Sequence, residues 1–227
     1  MATRRGFRLP DTVVTMAIET RPLGQTGVDR SSEQLKSVAV YCASSPGFDP
    51  LYSRAAGRLG ALIAERGLRL VYGGGHVGLM GVVADSALGA GGEVHGVITR
   101  ALEAKELAHR GLTSLAVAET MHERKLAMSD AADAFVMLPG GFGTFDEFFE
   151  VVTWTQLGIH VKPCGVLDVA GFFGPLRGQL NAMTDAGFLR ADHRDMILVD
   201  EDPAALLDRM AAWTPPKVEK WLDPQQR

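Results

Sequence analysis

Two glycine-rich turns carry most of the chemistry this sequence could perform. Pro139-Gly140-Gly141-Phe142-Gly143-Thr144 follows the apolar run Ala134 to Leu138 and opens a segment of helical period. Glycines at a helix entrance leave backbone N–H groups open to an anion, and Thr144 adds a hydroxyl and an N-cap oxygen, so Gly140, Gly141, Gly143 and Thr144 are suited to a phosphate. The same glycines also fit a tight strand-to-helix turn that holds nothing. No Lys-Ser or Lys-Thr follows, which argues against the loop of triphosphate transfer. Gly73, Gly75 and Gly78 satisfy G-x-G-x-x-G after another apolar run, the spacing of a dinucleotide turn. The acid expected at the end of the next strand is missing, because Glu93 precedes that run and Thr99 and Arg100 close it. NAD loses support there. An NADP-linked oxidoreductase stays open, since a basic residue at that place could accept a 2′-phosphate.

Two charged residues stand where reactive groups are wanted. Glu147 falls on the first turn past the phosphate loop, and Arg124 lies within Met121-His122-Glu123-Arg124-Lys125. Each taken alone also reads as a solvated surface charge. The histidines and cysteines show neither His-x₃-His nor Cys-x₂-Cys spacing, so no metal site is expected. Cys42 and Cys164 sit in apolar runs far apart, which suits reduced core thiols and a reducing compartment.

Positioning these groups requires a scaffold. Short apolar runs at Ser37 to Cys42, Leu68 to Tyr72, Val94 to Ile98, Ser114 to Ala118, Ala134 to Leu138, Val166 to Asp168 and Met196 to Val199 alternate with helical segments, the pattern of βαβ units. Asp49 and Pro50 read as N-cap and N1 of a helix with the stripe Leu51, Ala55, Leu59, Leu62 and Ile63. Further helices are expected over Gly78 to Leu88, Arg100 to Arg110, Thr120 to Asp130 and Thr144 to Leu157. The sum is a Rossmann-like α/β fold, a doubly wound parallel sheet of six or seven strands with helices on both faces. It is predicted as one domain over residues 36–213, after a mobile arm at 1–35 and before a loosely held tail at 214–227. In such folds ligands lie outside the carboxyl ends of the strands, where both glycine turns fall.

Composition narrows the partners. Hydrophobic residues make up 46% and charged residues 22% of the chain, an ordinary globular balance. The formal net charge is −4 and Lys and Arg form no runs, so nucleic-acid binding is not expected. No stretch reaches the roughly 18 apolar residues of a membrane span, and Asp11, Thr12, Thr15 and Glu19 interrupt any signal-peptide core. A cytoplasmic location is expected. The segment Phe145 to Leu157 has apolar residues at 145, 148, 149, 151, 152 and 154, more than one face needs, which predicts a homodimer using this helix.

Pro139-Gly140-Gly141-Phe142-Gly143-Thr144-Phe145-Asp146-Glu147 resembles the P-G-G-x-G-T-x-x-E signature of the LONELY GUY family. The resemblance extends through Tyr72-Gly73-Gly74-Gly75-His76-Val77-Gly78-Leu79-Met80-Gly81, Met121 to Lys125, and Thr153-Trp154-Thr155-Gln156-Leu157-Gly158-Ile159-His160, over roughly Ser37 to Trp213. It implies a cytokinin riboside 5′-monophosphate phosphoribohydrolase that needs no cofactor or metal. It also implies roles: Gly140, Gly141, Gly143 and Thr144 on the 5′-phosphate, Arg124 and Glu147 as the catalytic pair, and Ser44, Gly74, Gly75, Met121 and Lys125 as further substrate contacts. Glu147 would stabilise an oxocarbenium-like sugar and orient water, with Arg124 assisting the base or the phosphate. The chain departs from the family pattern at Ala43, His76 and Thr99, where glycine, serine and proline are usual. A non-enzymatic nucleotide carrier or sensor would keep the phosphate loop without needing Glu147. Lysine decarboxylation, a label often attached to the family, has no pyridoxal phosphate signal around Lys105, Lys125 or Lys162.

Overall fold

Each short β-branched run forms a strand, and the strands share one parallel sheet. The structure, a computed structural model, describes residues 35–105 and 107–215. The elements are β1 (Ser37–Tyr41), α1 (Pro50–Glu65), β2 (Arg69–Tyr72), α2 (Gly78–Gly89), β3 (Val94–Thr99), α3 (Arg100–Glu103), β4 (Ser114–Ala118), α4 (Met121–Asp130), β5 (Ala134–Met137) and α5 (Phe142–Gln156). Then follow β6 (Cys164–Leu167), a 3-10 turn (Val169–Gly171), α6 (Gly174–Asp185), α7 (Ala191–Arg194), β7 (Ile197–Asp200) and α8 (Pro203–Ala211). Strand order is β4-β3-β2-β1-β5-β6-β7, with every pair parallel. The expected arm and tail lie, apart from Leu35, Thr214 and Pro215, outside the described residues.

The alternation of side chains along each strand builds two cores. Val38 and Val40 of β1 face α1, α2 and α8, while Ala39 and Tyr41 face the side of α4, α5 and α6. Asp49 caps α1 by accepting from Leu51 N–H at 2.8 Å, with Pro50 at its first position, as expected. Leu51 of the predicted stripe is exposed instead, because Ala56, Leu59, Gly60, Leu62 and Ile63 form the buried face. Gly60 lies so close to α2 that a Cβ there would collide with the carbonyl of Val83.

Two helix boundaries differ from expectation. The helix predicted over Arg100 to Arg110 ends at Glu103. Beyond it the chain doubles back over the turn after β2: His76 N–H donates to Leu107 O at 3.1 Å, and His109 N–H donates to Gly74 O at 2.9 Å. These tertiary bonds compete with the local helix and win. The helix predicted from Thr144 begins earlier, at Phe142, with Gly141 as its N-cap. The apolar surplus of α5 is absorbed within the chain, since Phe148, Val151 and Val152 are buried and Phe145, Phe149 and Trp154 pack against the same core.

Candidate functional site

The strand order reverses between β1 and β5, and loops leaving such neighbours diverge to open a crevice at the strands' carboxyl ends. The loop after β1 and the turn after β5 meet there, with Ala43 N–H donating to Pro139 O at 3.2 Å. Met80 N–H donates to Ala43 O at 3.3 Å and brings the start of α2 to the same place.

The two glycine turns, alike in sequence, differ in what surrounds them. At Gly141 and Gly143 an added Cβ would meet nothing within 4 Å, so their backbone faces open space. The first helical bond of α5 runs from Phe145 N–H to Gly141 O at 3.2 Å, so the helix supplies no acceptor for Phe142, Gly143 and Thr144 N–H. A helix terminus of this kind can accept an anion. Thr144 is buried, and its hydroxyl fills the space where a Gly140 side chain would stand. It therefore does not cap the helix as expected, because α5 begins two residues before it. At the other turn, the protein fills all three positions of G-x-G-x-x-G. A Cβ would collide with Arg124 Nη2 at Gly73, approach Met80 Cε to 2.9 Å at Gly75, and collide with the Ser44 and Ser45 backbone at Gly78. The glycines there serve close packing within the chain. Arg100, which kept an NADP site open, is held by Glu119, with Nε donating to Oε1 at 2.9 Å.

Arg124 and Glu147, 23 residues apart, meet below the open turn: Arg124 Nη1 donates to Glu147 Oε1 at 2.5 Å. Their side chains are only 7% and 12% exposed, so neither is the solvated charge that composition alone allows. Arg124 Nε also donates to Val97 O at 2.9 Å and Nη2 to Gly73 O at 3.4 Å. These carbonyls, one within β3 and one just past β2, were not foreseeable as partners; the glycine at 73 was the signal. Burial pushes the Glu147 carboxyl above its ordinary range, and Arg124 opposes the shift without cancelling it. Tyr41, buried on β1, is pushed well up by burial and then by the charge of Glu147. The result is a desolvated carboxylate and a fixed cation beside an open helix terminus, suited to stabilising separated charges.

The other candidate contacts divide. Ser44 and Met121 are exposed at the carboxyl edge. Gly74 and Gly75 are buried beneath the segment around Leu107. Lys125 turns to α5, where its Nζ lies 3.2 Å from both Asp146 Oδ2 and Glu150 Oε2. From the Thr153 to His160 motif, Thr155 lies 3.3 Å from His160 Nδ1 and donates to Val151 O at 3.1 Å, tying the end of α5 toward β6. Cys42 and Cys164 are buried thiols, and burial pushes Cys164 up to about 12. Among the described residues, no three His, Cys, Asp or Glu side chains gather as a metal would need.

Residues 80–210 match the family model described as possible lysine decarboxylase. A protein of Rhodococcoides fascians named cytokinin riboside 5′-monophosphate phosphoribohydrolase is 44% identical over 184 residues, covering 80% of this chain and 93% of that one. A protein of Arabidopsis thaliana with the same enzyme name is 38% identical over 188 residues, covering 83% and 88%. Among solved structures, the molybdenum cofactor binding protein of Rippkaea orientalis superposes with a TM-score of 0.61 at 18% identity, covering 80% of this chain and 98% of that one. The molybdenum cofactor carrier protein of Chlamydomonas reinhardtii gives 0.59 at 21%, covering 78% and 99%. At those identities the solved structures show a shared fold, whereas the sequence relatives show kinship. This chain belongs to the LONELY GUY family, whose relatives bear the name cytokinin riboside 5′-monophosphate phosphoribohydrolase.

Proposed function

We propose that this protein hydrolyses the N-glycosidic bond of a cytokinin riboside 5′-monophosphate, releasing the free base and ribose 5-phosphate. The buried Arg124–Glu147 pair beside the open terminus of α5 carries this reading. The 5′-phosphate binds at Gly141 and Gly143 and the N–H groups of the first helical turn. Binding energy from that remote group then positions C1′. As the C1′–N bond breaks, its electron pair leaves with the purine and positive charge grows on the sugar. Glu147 stabilises that charge and orients the water whose oxygen bonds to C1′. The water's proton goes to solvent, and the base is protonated as it departs. Arg124 holds Glu147 in place and offers its positive charge to the phosphate or the departing base. Plain AMP is a second substrate of the same site. The enzyme works in the cytoplasm as a homodimer, and the dimer is supported by the exposed Phe142 at the start of α5 and by Leu157 and Ile159 just past its end.

The test incubates wild-type and Glu147→Ala protein with N6-isopentenyladenosine 5′-monophosphate and with AMP, separating the products by chromatography. Wild-type protein is expected to release free base, and the variant to lose at least about 100-fold in rate. Binding of both nucleotides without any release of base would replace the hydrolase by a nucleotide carrier.

A further inference from the structure

Gly73 is the first residue after β2, and its φ is not positive, so its backbone makes no demand for glycine. The demand is for space. A Cβ at this position would collide with Arg124 Nη2 and stand 3.2 Å from Met80 Sδ. The Gly73 carbonyl accepts from that same Nη2 at 3.4 Å, while Val97 O accepts from Nε at 2.9 Å. A guanidinium is planar with a rigid fork of donors, so two carbonyls gripping two of its nitrogens also set the direction of the third. That third nitrogen, Nη1, is the one that meets Glu147. Neighbouring glycines answer different needs: Gly74 adopts a φ of +72°, and Gly75 makes room for Met80.

We propose that Gly73 is a positioning residue, whose missing side chain is the slot that lets Arg124 lie against β3 and the end of β2 with one edge turned to Glu147. This rests on the reading of Arg124 and Glu147 as the reactive pair. An alanine here pushes the guanidinium aside, and the planar group then cannot keep both carbonyls and the carboxylate together. Glu147 stays buried but loses its nearest cation. The other groups bearing on it are Lys125 from α4, Asp146 on its own helix, Tyr41 at the end of β1 and Cys42 just past it. With Arg124 displaced, its carboxyl moves further above the ordinary range and the acid limb of the rate profile moves to higher pH.

The experiment compares wild-type, Gly73→Ala, Arg124→Ala and the double variant. Hydrolysis of N6-isopentenyladenosine 5′-monophosphate gives kcat and KM, carbon-13 NMR of the substrate-free proteins gives the Glu147 titration, and thermal melting gives stability. Gly73→Ala is expected to lower kcat by about 10- to 100-fold with KM within about threefold. Its Glu147 titration should move upward, toward that of Arg124→Ala. In the Arg124→Ala background the colliding group is gone, so the alanine at 73 should leave both titration and melting temperature nearly unchanged. Should Gly73→Ala fold poorly, Arg124→Ala must restore its folding. Wild-type kcat and titration in Gly73→Ala overturn the proposal, as does an equal loss of stability in both backgrounds. If wild-type protein releases no base, the hydrolase reading fails, and the titrations and melting still decide the role of Gly73.

Discussion

At the scale of single residues, the site is governed by what water has been taken away from. Glu147 would be an unremarkable surface acid were it not for β1 behind it and Arg124 beside it. The sign of its shift has a kinetic consequence. Only the ionised carboxylate stabilises a cationic sugar, so kcat/KM should fall as pH drops through the raised pKa of Glu147. The acid limb of the wild-type kcat/KM profile, which reports the free enzyme, is therefore expected above the ordinary glutamate value; a limb at or below it would show that another group limits the reaction. Spacing singled out Glu147 and the glycine turn, because loop glycines and helix-start acids follow local rules, whereas the pairing with Arg124 came from the family resemblance. Spacing missed the duty of Thr144, since nothing local says that its hydroxyl packs on Gly140. It also could not turn Lys125 toward Asp146 and Glu150, which requires knowing how α4 lies on α5.

At the scale of elements, glycines decide how closely helices approach. Gly60 in α1 has no room for a methyl group, because the α2 backbone at Val83 already occupies it. Gly60→Ala gains about 1 kcal/mol of helix propensity. It must also separate two helices, at a cost of about 1–3 kcal/mol for overpacking. The clash is with backbone and should dominate, so the melting temperature should fall, by up to about 8 °C. Gly178→Ala, in the middle of α6 with nothing within 4 Å, should instead raise it. A calorimetric scan of both variants checks the contrast. The strands were legible because buried parallel strands are short and β-branched, and their observed bounds lie within about two residues of expectation. The helix over Arg100 to Arg110 was over-read because Ala101-Leu102-Glu103-Ala104-Lys105 has strong local propensity. Bonds to Gly74 and His76, invisible in the local sequence, stop it at Glu103.

At the scale of the whole molecule, sheet order places the site. The chain lays β1 to β4 outward in one direction and β5 to β7 in the other, so the crevice opens where the directions part. The doubly wound fold was legible from the alternation of runs, but which two strands flank the reversal was not, since strand order leaves no local trace. Assembly belongs to this scale too. Phe142 is 98% exposed, Leu157 63% and Ile159 46%, apolar side chains at both ends of a helix whose other apolar residues are packed away. Light scattering at micromolar concentration is expected to give twice the chain mass, and a monomer would remove the dimer proposal. The reversal also orders events on the ribosome. Ser37 on β1 and Asp133 just before β5, joined across the sheet, are 96 residues apart. Until the segment Ala134–Met137 has been synthesised, the strand destined for the centre of the sheet is its edge, a row of unpaired backbone groups on an apolar strand. The nascent chain thus exposes an apolar strand edge until β5 emerges to pair with it, and the same pairing opens the crevice at the strands' carboxyl ends.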